Sequence, residues 1–212
     1  MKKVASCCIV ILGLVAFSLP LQADTLTLDL NYTFSGTSPA GDAPWLTATF
    51  EDQGGGVVRL TMDASGLTGS EKVVGNEAAE SGWYFNFDDE KDVTQLTFTK
   101  QSGTTATFLT AKNNYQADGD GRYDFVAAFE SDLTQGATSV YDISGIAGLS
   151  ASWFYSLSSP QGGEGVYYSA AHVQSIGESK ESGWIGAVPL PATVYLVAFG
   201  LIGIVGVRRR FQ

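Results

Sequence analysis

The sequence predicts an all-β fold: an antiparallel two-sheet β-sandwich, jelly-roll-like, between an N-terminal signal peptide and one C-terminal transmembrane helix. Three observations carry that expectation. Apolar and polar residues alternate with a period of two in several short stretches, the mark of strands with one buried face. Glycine-rich or Asn/Asp-rich punctuation separates those stretches. No helical stripe of useful length occurs before the last 25 residues.

Residues 1–23 read as a secretory signal peptide. Lys2 and Lys3 make a charged start, Val4 to Leu19 is mostly apolar, and Leu21-Gln22-Ala23 offers a small residue before the cut. Both cysteines, Cys7 and Cys8, fall inside it, followed by Ile9 and Val10 rather than placed as at a lipoprotein cleavage site. The exported chain then has no cysteine, which excludes disulfides, thiol catalysis and thiolate metal ligation.

Residues 24–176 are the expected sandwich domain. Leu26, Leu28, Leu30, Tyr32 and Phe34 alternate with polar residues over ten positions, which predicts one long strand. Leu46, Ala48 and Phe50 lead to a turn at Gly54-Gly55-Gly56, and Val58, Leu60 and Met62 lead away from it. Further strands are expected at Trp83 to Phe87, Val93 to Thr99, Thr105 to Ala111, Arg122 to Glu130, Ser139 to Ile143, Ser150 to Leu157 and Val166 to Ile176. Asn113-Asn114, Asp118-Gly119-Asp120-Gly121 and Pro160-Gln161-Gly162-Gly163 read as turns. Ser65 to Gly82, with Glu71, Glu77 and Glu80, reads as the main loop. Residues 177–187 read as a short linker, with Trp184 and Ile185 the residues that would still pack on the domain.

The chain carries a net charge of −10 from 12 basic and 22 acidic residues. Setting aside Lys2, Lys3 and the three terminal arginines leaves 7 basic residues against the same 22 acidic ones, a net charge of −15 for the exported part. Such a surface repels nucleic acid. It suits solubility, divalent cations, or a matrix of neutral or basic polymers.

Residues 188–212 set the expected fate of the protein. Val188-Pro189-Leu190-Pro191-Ala192 opens an 18-residue stretch, Leu190 to Val207, without a charge, and Arg208-Arg209-Arg210 follows. As a helix the stretch spans about 27 Å at ~1.5 Å per residue, close to the ~30 Å hydrocarbon core of a bilayer. The arginines belong on the cytoplasmic side and place everything before Val188 outside. The two prolines hold Val188 and Leu190 in extended backbone. The span within also carries Thr193, Tyr195, Gly200, Gly203 and Gly206, a mild composition for a permanent anchor.

This motif, span and arginine cluster in that order resemble the PEP-CTERM sorting signal in its VPLPA form, with Leu190 standing where the founding pattern has glutamate. The resemblance implies recognition by exosortase, a membrane-embedded cysteine transpeptidase-like enzyme of bacteria that make extracellular polysaccharide. Two body segments also resemble that family: Trp83-Tyr84-Phe85-Asn86-Phe87 with Leu96-Thr97-Phe98, and Ala170 to Ile176 with Ser182-Gly183-Trp184-Ile185. The turn from Asp118 to Asp124 extends the likeness. It implies delivery to the cell surface or beyond and supplies no catalytic activity.

Few residues point to chemistry. His172 is the single histidine. It excludes a zinc site built from histidines, no serine is placed beside it by spacing, and its expected role is a hydrogen-bonded residue near a strand end. A glycosidase needs two acids about 5–9 Å apart across a sugar cleft, and no aromatic-plus-acid cluster stands out along the chain. Asp118 and Asp120, with Asp124 assisting, are the candidate ligands of a hard cation, calcium. As an EF-hand the stretch fails, with Arg122 at the fifth position, Tyr123 where glycine is required and Phe129 at the twelfth. The stronger reading of Asp118-Gly119 is a hairpin turn, which needs positive φ. Asp88-Asp89-Glu90 with Asp92 reads as a solvated turn. The sequence therefore predicts a non-catalytic exported protein associated with extracellular polysaccharide. A polysaccharide hydrolase and a plain membrane-anchored ectodomain are the alternatives.

Overall fold

The computed structural model describes residues 24–75, 81–163 and 165–189. The expected signal peptide and the span 190–207 lie outside them, as do Glu77, Glu80, Leu190, Pro191, Ala192 and Arg208 to Arg210. Among the described residues no helix is long and apolar enough to cross a membrane.

In chain order the strands are β1 (Thr25–Leu30), β2 (Tyr32–Gly36), β3 (Leu46–Gly54), β4 (Val57–Asp63), β5 (Lys72–Val73), β6 (Trp83–Phe85) and β7 (Thr97–Gly103). They continue as β8 (Ala106–Ala117), β9 (Asp120–Phe129), β10 (Leu133–Thr134), β11 (Thr138–Ser144), β12 (Ser159–Gly162), β13 (Ser169–Ile176) and β14 (Glu181–Ala187). Two single-turn 3-10 segments, Val93–Gln95 and Ala151–Phe154, interrupt them. A five-stranded sheet runs β1-β3-β4-β11-β7. A nine-stranded sheet runs β10-β5-β13-β6-β9-β12, with β14 joining β13 to β2 and β8 beside β9. Every pairing is antiparallel. The all-β, antiparallel two-sheet expectation therefore holds.

The core lies between the sheets. Leu28, Leu30, Phe50 and Leu60 on one side meet Trp83, Phe85, Phe125, Val173 and Ile185 on the other, all nearly free of solvent. Phe50 meets Phe85 edge-on at 5.7 Å and stacks on Phe154 at 4.3 Å. Aromatic pairs of this kind add about 0.5–1.5 kcal/mol to the burial of their area.

Several expected elements are placed differently, each for a local reason. The long strand from Leu26 to Phe34 breaks at Asn31: β1 belongs to the five-stranded sheet and β2 to the other. Alternation survives the break, so periodicity alone does not reveal the change of sheet. Ser150 to Leu157 is a 3-10 turn rather than a strand. Ser150 caps it, and Asp52 accepts the Ala151 N–H at 2.7 Å. Val93 to Gln95 is likewise a 3-10 turn, capped by Asp92. Pro160 to Gly162, expected as a turn, pairs with β9 as an edge strand, where proline is tolerated.

The largest correction concerns residues 177–187. They are not a linker: only Gly177 to Lys180 form a turn, and Glu181–Ala187 is an interior strand paired on both sides. Its glycines fill positions that other groups cover. A Cβ at Gly183 would run into the Thr37 carbonyl, and one at Gly186 would meet the Tyr167 ring at 2.9 Å. Ile185 and Ala187 face the main core, and Trp184 faces the opposite side.

A chain ended at Gly177 should therefore fail to fold, and Ile185→Ala should cost about 2–5 kcal/mol, read as a lower urea midpoint with unchanged slope. An Ile185→Ala midpoint equal to wild type would contradict the interior placement of β14.

Candidate functional site under the hairpin tip

The outer face of the nine-stranded sheet carries a second apolar cluster. Tyr84, Val126, Ala170 and Trp184 rise from adjacent strands, and Ala117 and Tyr123 come down from the β8–β9 hairpin. The hairpin reaches them because it bends. Register shifts between Thr110 and Tyr115, and Asn113 adopts φ 50°, so the expected turn at Asn113-Asn114 is a kink within one long strand.

Asp124 fixes the kink. Its carboxylate accepts the Asn113 N–H at 2.7 Å and the Phe87 N–H at 2.8 Å. Burial pushes its pKa above the usual carboxylate range, and those two N–H groups oppose the rise. The hairpin closes at Asp118-Gly119, with φ 46° and 85°, between paired Ala117 and Asp120. Two consecutive positive φ values in a two-residue loop make the I′-type turn that Asp-Gly favours. The turn reading is thus the correct one at this position. Among the described residues no group of three or more His, Cys, Asp or Glu side chains is arranged to hold a metal ion. Asp118, Asp120 and Asp124 do not form such a group: Asp124 is a backbone clamp at the kink, Asp118 is the first residue of the turn itself, and Asp120 opens β9 just after it.

His172 sits in mid-strand on this face, under the tip. Its ring lies parallel to Trp184, 4.6 Å between centroids with planes 5° apart. Its Nδ1 is 3.0 Å from Ser81 Oγ, a partner 91 residues away that spacing gave no means of finding. The Ser81 hydroxyl donates to the Val74 carbonyl at 2.7 Å. Its one proton so placed, the Oγ accepts from His172 Nδ1–H and from Gln174 Nε2 at 3.4 Å. A nucleophilic serine instead gives its proton to the imidazole. Ser81 here is a hydrogen-bond junction tying the end of the 74–81 connection to β13. Burial lowers the His172 pKa, and the nearby Asp118 carboxylate opposes that shift.

A second concave place is an open groove of about 410 Å³ that brings Glu71 and Glu178 to one wall with Lys180. Glu71 is 2% exposed. Its Oε1 accepts the Ala40 N–H and its Oε2 the Thr68 N–H, both at 2.7 Å, and Thr68 Oγ1 donates at 3.2 Å. The carboxylate is committed to holding two loops together, so this groove does not present a pair of free facing acids. Of the expected sorting motif, Val188 and Pro189 are described; Val188 is half-buried directly beyond β14 and Pro189 is exposed.

No family model matches the chain, and the curated proteins and solved structures give no match either.

The His172 environment makes a signed prediction. A histidine with a depressed folded pKa binds its proton less readily than in the unfolded chain. Its stabilising contribution is present above the unfolded value of about 6.5 and is lost as pH falls through that value toward the lower folded one. NMR titration should place His172 below that reference. Asp118→Asn should lower it further, because an opposing negative charge is removed; an upward or absent change would contradict the placement of the tip.

Proposed function

We propose that this protein is an exported, non-catalytic component of the cell surface or extracellular matrix. In this reading its jelly-roll-like sandwich is sorted through the C-terminal tail by an exosortase and associates with extracellular polysaccharide. The observation that carries the reading is the junction at Ala187. The last strand ends there, and the proline motif begins at the next residue with no spacer. A processing enzyme at the membrane surface would meet an extended Val188-Pro189-Leu190-Pro191 segment directly below a folded domain. Two further features favour a non-catalytic role. The Ser81–His172 pair has the proton order of a structural clip, and the buried acids Glu71 and Asp124 are held by backbone N–H groups.

The prolines are central to this reading because they keep the cleavage segment extended without contributing to insertion. Fluorescent fusions before and after residues 188–212 should separate in cells that have exosortase. Pro189→Ala with Pro191→Ala should leave insertion intact and keep both halves joined in the membrane. Normal release of that variant, or a wild-type chain that stays whole beside the enzyme, would show a plain anchored ectodomain instead.

A further inference from the structure

Among the described residues, three large hydrophobic side chains are exposed: Tyr32, Tyr155 and Leu157, at 49%, 48% and 42%. All three belong to the end of the domain from which the chain departs. Tyr32 is the strand partner of Gly186. Tyr155 stacks on Tyr168 at 4.1 Å, and the Tyr168 N–H donates to the Ala187 carbonyl at 2.9 Å. Leu157 precedes Ser158, whose N–H donates to the Tyr167 carbonyl at 2.9 Å. Between the sheets at this end lies a cavity of about 190 Å³ lined in part by Asn31, Tyr155, Tyr168, Ala187 and Val188. Among the described residues, Asp29 is the one charged group that lines it.

We infer that this rim is a seat on the phospholipid interface, used while the C-terminal tail holds the chain in the membrane. The inference rests on the proposed insertion of residues 190–207. Leu190 is three residues beyond Ala187, so at most about 10 Å of extended chain separates the last strand from the hydrocarbon edge. The headgroup layer is about 5–8 Å deep on each side, so the rim is within reach of it. Tyrosine is enriched at that depth because its ring partitions into the interface while its hydroxyl stays hydrated. Tethering supplies the effective concentration that a patch of three side chains lacks by itself. With Asp29 in the lining and no basic side chain among the described lining residues, the cavity fits a zwitterionic surface rather than an anionic one. Seated in this way, the domain keeps the 188–192 segment at a fixed height instead of swinging freely above it.

The test uses residues 24–212, the chain expected after signal-peptide removal, which has no cysteine of its own, so that one introduced cysteine carries an environment-sensitive dye. Asn31→Cys reports on the rim. Glu178→Cys, in the turn before the far end of the seven-residue β14, lies about 20 Å away and is the control. The labelled chain is reconstituted into phosphatidylcholine vesicles containing a headgroup-level quencher. The dye at 31 should be quenched at least three-fold more than the dye at 178, and Tyr155→Ser with Leu157→Ser should remove that difference. Equal quenching in chains that float with the vesicles would overturn the seat alone. Failure to float would overturn the tail reading and the seat with it. A dye at 31 that responds to the producing cells' polysaccharide and not to lipid would overturn the seat in favour of a sugar platform.

Discussion

The insertion of β14 between β13 and β2 is the constraint on which the rest of the structure depends. Without it the nine-stranded sheet would present two open strand edges, which proteins ordinarily cover. The strand also joins both cores: Ile185 fills the space between the sheets, while Trp184 stacks under His172 on the outer face. Through β2 it ties the first and last strands of the domain's chain together, with the Asn31 N–H bonded to the Gly186 carbonyl at 3.3 Å. In the proposed reading, a domain closed by its last strand completes its sheet only once that strand is outside the membrane. In the proposed delivery route, folding and arrival at the sorting motif become the same event.

Acidic residues serve this fold in a way net charge does not reveal. Asp52, Glu71 and Asp124 each accept backbone N–H groups from segments distant in sequence: Ala151, Ala40, and both Phe87 and Asn113. Charge-assisted bonds of this kind are stronger than neutral ones, and leaving such a buried donor unmet costs about 1–3 kcal/mol. The carboxylates thus replace part of what disulfides supply in cross-linked domains. The same use removes the buried pair Glu71 and Asp124 from the pool of acids available for chemistry.

The class of fold was legible because alternation at Leu46 to Phe50, Val58 to Met62 and Ser139 to Ile143 reports one buried face directly. The change of sheet at Asn31 was not, since a strand that crosses between sheets keeps its period of two. β14 was hidden for a different reason. Gly183 and Gly186 are small because Thr37 and Tyr167 cover them, and two glycines soon after the polar run Glu178 to Ser182 resemble a linker when the covering groups are unseen. The Asp118-Gly119 turn was readable from local φ requirements. The contact between Ser81 and His172 depends on register across the nine-stranded sheet, which no spacing encodes. The kink at Asn113 was visible as a break in pattern, but its outcome depends on Asp124 accepting the Asn113 N–H.

The central claim is that a folded, cleaved domain is what the cell delivers. The intact mass of the protein recovered from the medium of exosortase-bearing cells measures this directly. The account predicts a chain that starts at Asp24, retains all of β14 through Ala187, and ends within residues 188–192, with any attached group appearing as added mass. A chain found only in the membrane at a mass that includes Arg208 to Arg210 would contradict it.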